Sequence, residues 1–202
     1  MVLKENFSIE YLEGIKNICE KIKIKDIEDS IDILLNVRKK GGRLFILGVG
    51  GSAGSATHAV NDFRKITNIE CYTPTDNVSE LTARTNDEGW STVFREWLKT
   101  GKLNDKDCIL ILSVGGGDKE NNISVNIIEA MIHAREVGAK IIGIVGKDGG
   151  YTAKNADKYI LIPVINNQMI TPFTESFHSV ICHLLVSHPR LKMNQTKWES
   201  VK

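Results

Sequence analysis

Arg43-Leu-Phe-Ile-Leu-Gly48-Val-Gly50-Gly51-Ser52-Ala-Gly54-Ser55-Ala-Thr-His58-Ala-Val-Asn-Asp62 is the stretch that decides how the rest of the chain folds. Leu44 to Leu47 form a short apolar run, the pattern of a strand buried on both faces of a parallel sheet. Four glycines and two serines crowd into residues 48–55, and a helix start follows. A glycine-rich turn between strand and helix presents backbone N–H groups at the positive end of the helix dipole, which suits an anion, above all a phosphate. Behind it His58 and Asp62, four residues apart, project from one helical face about one turn apart. The spacing is not G-x-x-x-x-G-K-[ST], which excludes a nucleoside-triphosphate loop. Gly48, Gly50 and Ala53 give a loose G-x-G-x-x-A, with Glu70 as the acidic residue that a dinucleotide site would need. A turn whose glycines serve only close strand–helix packing is the plain alternative.

Upstream, Ile9, Leu12, Ile15, Ile18 and Ile22 predict a helix over 7–22. Ile27, Ile31, Leu34, Leu35 and Val37 predict a second over 26–40, stopped by Gly41-Gly42 after three basic residues. Two amphipathic helices ahead of the first strand exceed what one sheet edge hides, so one of them is expected to pack on a partner subunit. Downstream, strand patterns at 69–73, 108–112, 140–145 and 159–163 alternate with helical patterns at 79–85, 90–99, 123–137, 152–156 and 173–187. That alternation predicts an α/β fold: a five-stranded parallel doubly wound sheet with an N-terminal helical extension. The expected divisions are 1–42 for the helices that pack in an oligomer, 43–190 for the sheet domain and 191–202 for a polar tail.

In such sheets ligands bind beyond the carboxyl ends of the strands, where the strand order switches. Ser113-Val-Gly115-Gly116-Gly117-Asp118 is a second glycine-rich turn after a strand, and two on one sheet edge favour a phosphorylated small ligand. Gly146-Lys-Asp148-Gly149-Gly150 is a third such turn, read as a tight turn rather than a ligand loop.

The net charge of +1 gives no global argument for nucleic acid or an acidic membrane surface. Cys19, Cys71, Cys108 and Cys182 show no C-x-x-C spacing and read as reduced thiols of a cytoplasmic protein. No apolar run approaches the length of a membrane span, and the residues after Met1 carry no signal-like apolar region.

Gly-Val-Gly-Gly-Ser with the following H-x-x-x-D, then Thr85-Asn86-Asp87-Glu88-Gly89, the strand ending in Ser113, Val145-Gly-Lys-Asp-Gly-Gly150 and a closing helix with His183 together resemble the sugar isomerase (SIS) domain family, and within it the phosphoheptose isomerases. The resemblance runs from the N-terminal helices to about residue 190. It implies a homo-oligomer, most simply a tetramer, with active sites between subunits. It implies an aldose–ketose isomerase that converts sedoheptulose 7-phosphate to D-glycero-D-manno-heptose 7-phosphate for bacterial heptose, lipopolysaccharide or capsule synthesis. It further implies that Val49, Gly50, Gly51 and Ser52 hold the phosphate with Ser113, Val114, Gly115 and Ser124. Val49 stands where the family has Asn, and Val114 and Gly115 replace two loop hydroxyls. Asn86 and Asp87 would touch the sugar. His58, Asp62, Glu175 and His183 would hold one Zn²⁺, or another divalent metal, per subunit. Asp62 and His183 would be catalytic, and Asp62 and Glu175 would also contact substrate. Asp62 and Glu175 stand where the family has Glu and Gln.

Moving a proton between neighbouring carbons through an enediol needs a base, a proton donor or Lewis acid at the oxygens, and a grip on the phosphate. Two imidazoles and two carboxylates suit zinc and such chemistry. Each residue also has a plain reading: His58 and His183 as packed histidines, Asp62 as a solvated partner of Arg64 or Lys65, Glu175 as a first-turn carboxylate. His178 lies three residues from Glu175 on the same helical face, whereas His183 is eight away, about 12 Å along a continuous helix. Glu175 and His183 of one chain therefore share a metal only if that helix breaks; otherwise they reach it from different protomers. Local geometry favours His178 beside Glu175, and the resemblance favours His183. His133 and His188 read as surface residues. Two other functions stay open: a non-catalytic SIS-type module that binds a phosphosugar or a protein, and an isomerase of another phosphosugar.

Overall fold

The computed structural model describes residues 6–195. In chain order the elements are α1 (Phe7–Lys21), α2 (Ile24–Lys39), β1 (Arg43–Gly48), α3 (Gly51–Thr67), β2 (Glu70–Tyr72), α4 (Val78–Glu88), α5 (Val93–Thr100), β3 (Cys108–Ser113), α6 (Val125–Glu136), β4 (Lys140–Val145), α7 (Gly150–Asn155), β5 (Lys158–Leu161) and α8 (Ile170–Ser187). All strand pairs are parallel, in the order β2-β1-β3-β4-β5. The chain steps outward from β1 to β2 and then returns past β1 to β3, so the switch in strand order lies between β1 and β3. Gly48 and Leu112 are register partners, which sets the glycine-rich turns that follow these two strands side by side.

Every residue of β3 is buried, as expected for the central strand of a sheet covered on both faces. Period-2 alternation sorts the side chains. Leu44, Ile46, Leu110, Leu112 and Ile142 pack with α2, α3 and α8 through Leu34, Phe63 and Leu185. Phe45, Leu47, Ile109, Ile111 and Ile141 pack with α5 and α6 through Phe94, Leu98 and Met131. Each fully buried side chain of this size contributes about 1.5–3 kcal/mol, and truncating one such as Leu110 to Ala costs about 2–5 kcal/mol.

α8 begins at Ile170, three residues before the expected start. Pro172 sits in its first turn, where its missing N–H has no helical partner to lose. α2 is closed just past its end by Gly41, whose φ of 65° lets the Gly42 amide donate to Val37 O at 2.9 Å.

The N-terminal extension divides. Ile27, Ile31, Leu34 and Val37 of α2 are buried in the sheet's own core, so α2 is not free for an interface. α1 is held at Gly14, where a Cβ would come within 2.6 Å of the Phe173 ring, and at Tyr11, whose ring centroid lies 4.8 Å from that of Phe173. It leaves Phe7, Ile9 and Leu12 exposed. The chain past Pro189 is pinned rather than loose. Leu191 is buried, and the amides of Met193 and Asn194 donate to Ile66 O. The remainder of the expected tail, 196–202, and residues 1–5 lie outside the described residues. His133, read as a surface residue, is buried on α6 with Nδ1 3.4 Å from Glu136 Oε2. Among the described residues no helix is long and apolar enough to cross a membrane.

Candidate active site

The turns after β1 and β3 form a pocket of about 320 Å³ lined by Val49, Ser52, Leu112, Ser113, Val114, Gly115, Ile123, Ser124, Ile127 and Glu175. α3 starts at Gly51 with no side-chain cap. Ala53 and Gly54 donate back to Gly50 O, while the amides of Gly51 and Ser52 take no acceptor among the described residues. These are the donors that a helix N-terminus offers an anion. Ser113 Oγ accepts from the Gly116 amide at 3.0 Å, which closes the second turn. Gly116 has φ 69° and lies so close to the next turn that a Cβ would meet Gly149 O at 2.0 Å. Its carbonyl accepts from the Thr152 amide at 2.9 Å and from Thr152 Oγ1 at 2.7 Å. The turn after β4 therefore buttresses the turn after β3. The sequence reading missed that role, although the matched run of glycines in the two turns was its visible sign.

Further along α3, three ligand-type atoms converge. His58 Nε2 lies 3.0 Å from His183 Nε2, and Asp62 Oδ2 lies 3.2 Å from the first and 3.3 Å from the second. Zinc bound to nitrogen or oxygen at about 2.0–2.1 Å in a tetrahedron holds its ligands about 3.3 Å apart. The triangle has that size, and its three atoms share one space as ligands of a common centre do. Its side chains are 57, 14 and 54% exposed for His58, Asp62 and His183, so it opens outward. Cys182 beneath it is inert: burial first, and then the Asp62 charge, push its thiol up to about 12.

α3 and α8 position both features. Gly51 meets Glu175: a Cβ there would lie 2.4 Å from Glu175 Oε2. Seven residues on, His58 meets His183, itself eight residues beyond Glu175. The two helices thus run side by side in the same direction, with the pocket at one end and the triangle about 10 Å further along.

Several expected residues come together and others do not. Val49, Ser52, Ser113, Val114, Gly115, Ser124 and Glu175 line the pocket, with Gly50 and Gly51 at its α3 edge. His58, Asp62 and His183 form the triangle. Glu175 does not join it within the subunit, because α8 runs unbroken from Ile170 to Ser187 and carries the two residues to different ends. His178 joins neither. It is buried, its Nε2 lies 3.1 Å from Ile144 O, and burial lowers its pKa to about 4. The local pairing of His178 with Glu175 is thereby set aside. Asn86 and Asp87 sit exposed on α4, where Asn86 Nδ2 donates to Asp87 Oδ1 at 2.8 Å, and they line neither feature.

The model of the SIS domain matches residues 10–146 of the chain. The chain belongs to the SIS domain family. The solved phosphoheptose isomerase GmhA of Neisseria gonorrhoeae superposes on this SIS domain with a TM-score of 0.77, at 26% identity, over 92% of this chain and 98% of that one. The phosphoheptose isomerase of Syntrophotalea carbinolica is 27% identical over 184 residues, 86% of this chain and 87% of that one. The lincomycin biosynthesis protein LmbN of Streptomyces lincolnensis is 33% identical over 163 residues, 77% of this chain. The aligned part spans only 59% of that longer protein.

Proposed function

We propose that this SIS domain is a phosphoheptose isomerase that converts sedoheptulose 7-phosphate to D-glycero-D-manno-heptose 7-phosphate in heptose biosynthesis. Its relatives bearing that name match along nearly their whole length. The observation that carries the reading is the spacing along α3 and α8. A seven-carbon chain has six C–C bonds of about 1.5 Å, each advancing about 1.25 Å when extended, and the phosphate adds about 2.5 Å. With its phosphate on the Gly51 and Ser52 amides, such a sugar reaches about 10 Å, which brings C1 and C2 to the triangle.

The chain's own residues divide the work. The amides of Gly51 and Ser52 and the hydroxyls of Ser52, Ser113 and Ser124 take the phosphate. Isomerisation removes a proton from C1 of the ketose and delivers one to C2, while a hydroxyl proton leaves O1 and one arrives at O2. Asp62 turns Oδ2 into the triangle and keeps Oδ1 on the Asn61 Nδ2 donor at 3.1 Å, and it serves as the base for the carbon-bound proton. His183 keeps Nδ1 outside the triangle and serves the oxygen-bound one. The dimensions of the triangle suit one zinc ion, or a related divalent ion, per subunit, held by His58, Asp62 and His183. When bound it would polarise the carbonyl and enediolate oxygens as a Lewis acid.

The assembly we propose is a homo-oligomer, most simply a tetramer. Val180 and Leu184 stand exposed on α8 on either side of His183, and Phe7, Ile9 and Leu12 stand exposed on α1. A partner laid on α8 would cover the open triangle and exclude water from it. In that assembly Asn86 and Asp87 reach a sugar only from a neighbouring subunit. The free thiols Cys19, Cys71, Cys108 and Cys182 suit a reducing, cytoplasmic setting, which is part of this reading. The test compares turnover of sedoheptulose 7-phosphate with that of free sedoheptulose. Several charge-assisted contacts to the phosphate are together worth several kcal/mol, so the free sugar should be at least about 100-fold slower in kcat/KM; equal turnover contradicts the assignment.

A further inference from the structure

The proposed phosphate pocket contains one charged side chain, and that charge is negative. Of the ten residues lining it only Glu175 is ionisable, and its carboxylate lies over Gly51 at the start of α3, the end of the helix that offers donors to an anion. No lysine or arginine balances it from the β1 turn, where Val49 faces the pocket. None does so from the β3 turn, where Ser113, Val114 and Gly115 face it, or from the start of α6, where Ile123, Ser124 and Ile127 do. On its own helix the next titratable group, His178, is buried with Nε2 against Ile144 O.

A phosphate monoester has a second pKa near 6, so at neutral pH it is mostly a dianion with acceptors only. Against a carboxylate, which also only accepts, the dianion meets like-charge repulsion with no hydrogen bond to offset it. The monoanion carries one P–O–H. That hydroxyl can donate to Glu175, while the other oxygens accept from the Gly51 and Ser52 amides and the serine hydroxyls. We propose that Glu175, set against Gly51 in a pocket whose lining within the subunit holds no lysine or arginine, makes this site select the monoanionic form of its phosphate ligand; Lys119 and Lys147 line the adjoining cavity beyond Gly115 instead. The inference rests on the reading of this pocket as the phosphate site.

The experiment titrates the purified protein with glycerol 3-phosphate and, in parallel, inorganic sulfate, which stays dianionic throughout, at pH 5.5, 6.5, 7.5 and 8.5, followed by NMR. Affinity for glycerol 3-phosphate should fall about tenfold per pH unit above about 6, tracking the monoanion fraction. Sulfate should bind weakly and without a pH trend, which assigns the titrating group to the ligand. Glu175→Gln should bind glycerol 3-phosphate about tenfold or more tightly than the parent at pH 8.5, with a flattened profile. The proposal is overturned if the parent binds the ester equally at pH 5.5 and 8.5, if sulfate shows the same pH trend, or if Glu175→Gln weakens binding at pH 8.5. If the variant does not fold, the comparison of ester with sulfate in the parent still decides. If neither protein binds the ester at any pH, the phosphate-site reading itself fails, and this inference with it.

Discussion

His58 Nε2 and His183 Nε2 stand 3.0 Å apart although 125 residues separate them in the chain. The contact exists because α3, which follows β1 at the switch point, lies against α8, which closes the fold. Asp62 reaches the same point because it is one turn beyond His58 on α3. The centre thus depends on helix packing that the sheet order imposes.

The triangle predicts which variants lose metal. His58→Ala and His183→Ala should each fall from about one zinc per subunit to near none in metal analysis, since two ligands rarely suffice for zinc. His178→Ala should keep its zinc, because its imidazole faces Ile144 O. Retention of full metal by His183→Ala together with loss by His178→Ala would rule the triangle out.

His178 also predicts a pH dependence of stability. Its pKa is about 4 in the fold because burial disfavours the cation, against an ordinary value of 6.5. Below 6.5 the unfolded chain binds a proton that the folded chain refuses, so stability is full above about 6.5. It is lost progressively as pH falls towards about 4, by about 3 kcal/mol in all. Nδ1 has no partner among the described residues to offset this. Urea unfolding at pH 7 and pH 4.5 should show a clearly smaller difference for His178→Leu than for the parent; equal differences would remove His178 as the cause.

Gly116→Ala should break the contact between the β3 and β4 turns. The new Cβ would meet Gly149 O at 2.0 Å, and φ is 69°. Strain of this kind costs about 1–3 kcal/mol, and the displaced turn also carries Ser113 and Gly115. Thermal unfolding should shift down, and binding of a phosphate ester should weaken several-fold. Unchanged stability would mean that the turn yields freely.

The sheet was legible from residue pattern because strands buried on both faces are unbroken apolar runs, and Cys108–Ser113 leaves no other reading. His58 and Asp62 were legible as a pair because helical spacing is local. That His183 rather than His178 joins them came from the family resemblance alone, since both lie on α8 and only its packing against α3 decides which faces outward. Which of the two N-terminal helices is left for a partner was not legible either. The apolar face of α2 reads the same whether it covers β5 or a partner, and Leu191 is one apolar residue in a polar segment. Glu175 was assigned to the metal by motif position; an unbroken α8 carries it to the phosphate end of its own subunit, so it reaches a triangle only across a subunit boundary.

Assembly should be tied to activity. Leu184→Glu places a charge on the exposed apolar face next to His183, and burying an unpaired charge in an interface costs several kcal/mol. Sedimentation of the parent at micromolar concentration should show an oligomer. The variant should shift towards monomer and lose most turnover while keeping its fold by circular dichroism. A parent that sediments as a monomer contradicts the proposed oligomer.

The most direct measurement incubates the zinc-loaded protein with sedoheptulose 7-phosphate and follows the sugar by NMR, beside Asp62→Asn as the control. The account predicts that the ketose signals give way to the anomeric signals of an aldoheptose 7-phosphate, and that Asp62→Asn slows this by about 100-fold or more, the range lost with a positioned base. A folded, zinc-loaded parent that leaves sedoheptulose 7-phosphate unchanged, or an Asp62→Asn variant as fast as the parent, would contradict it.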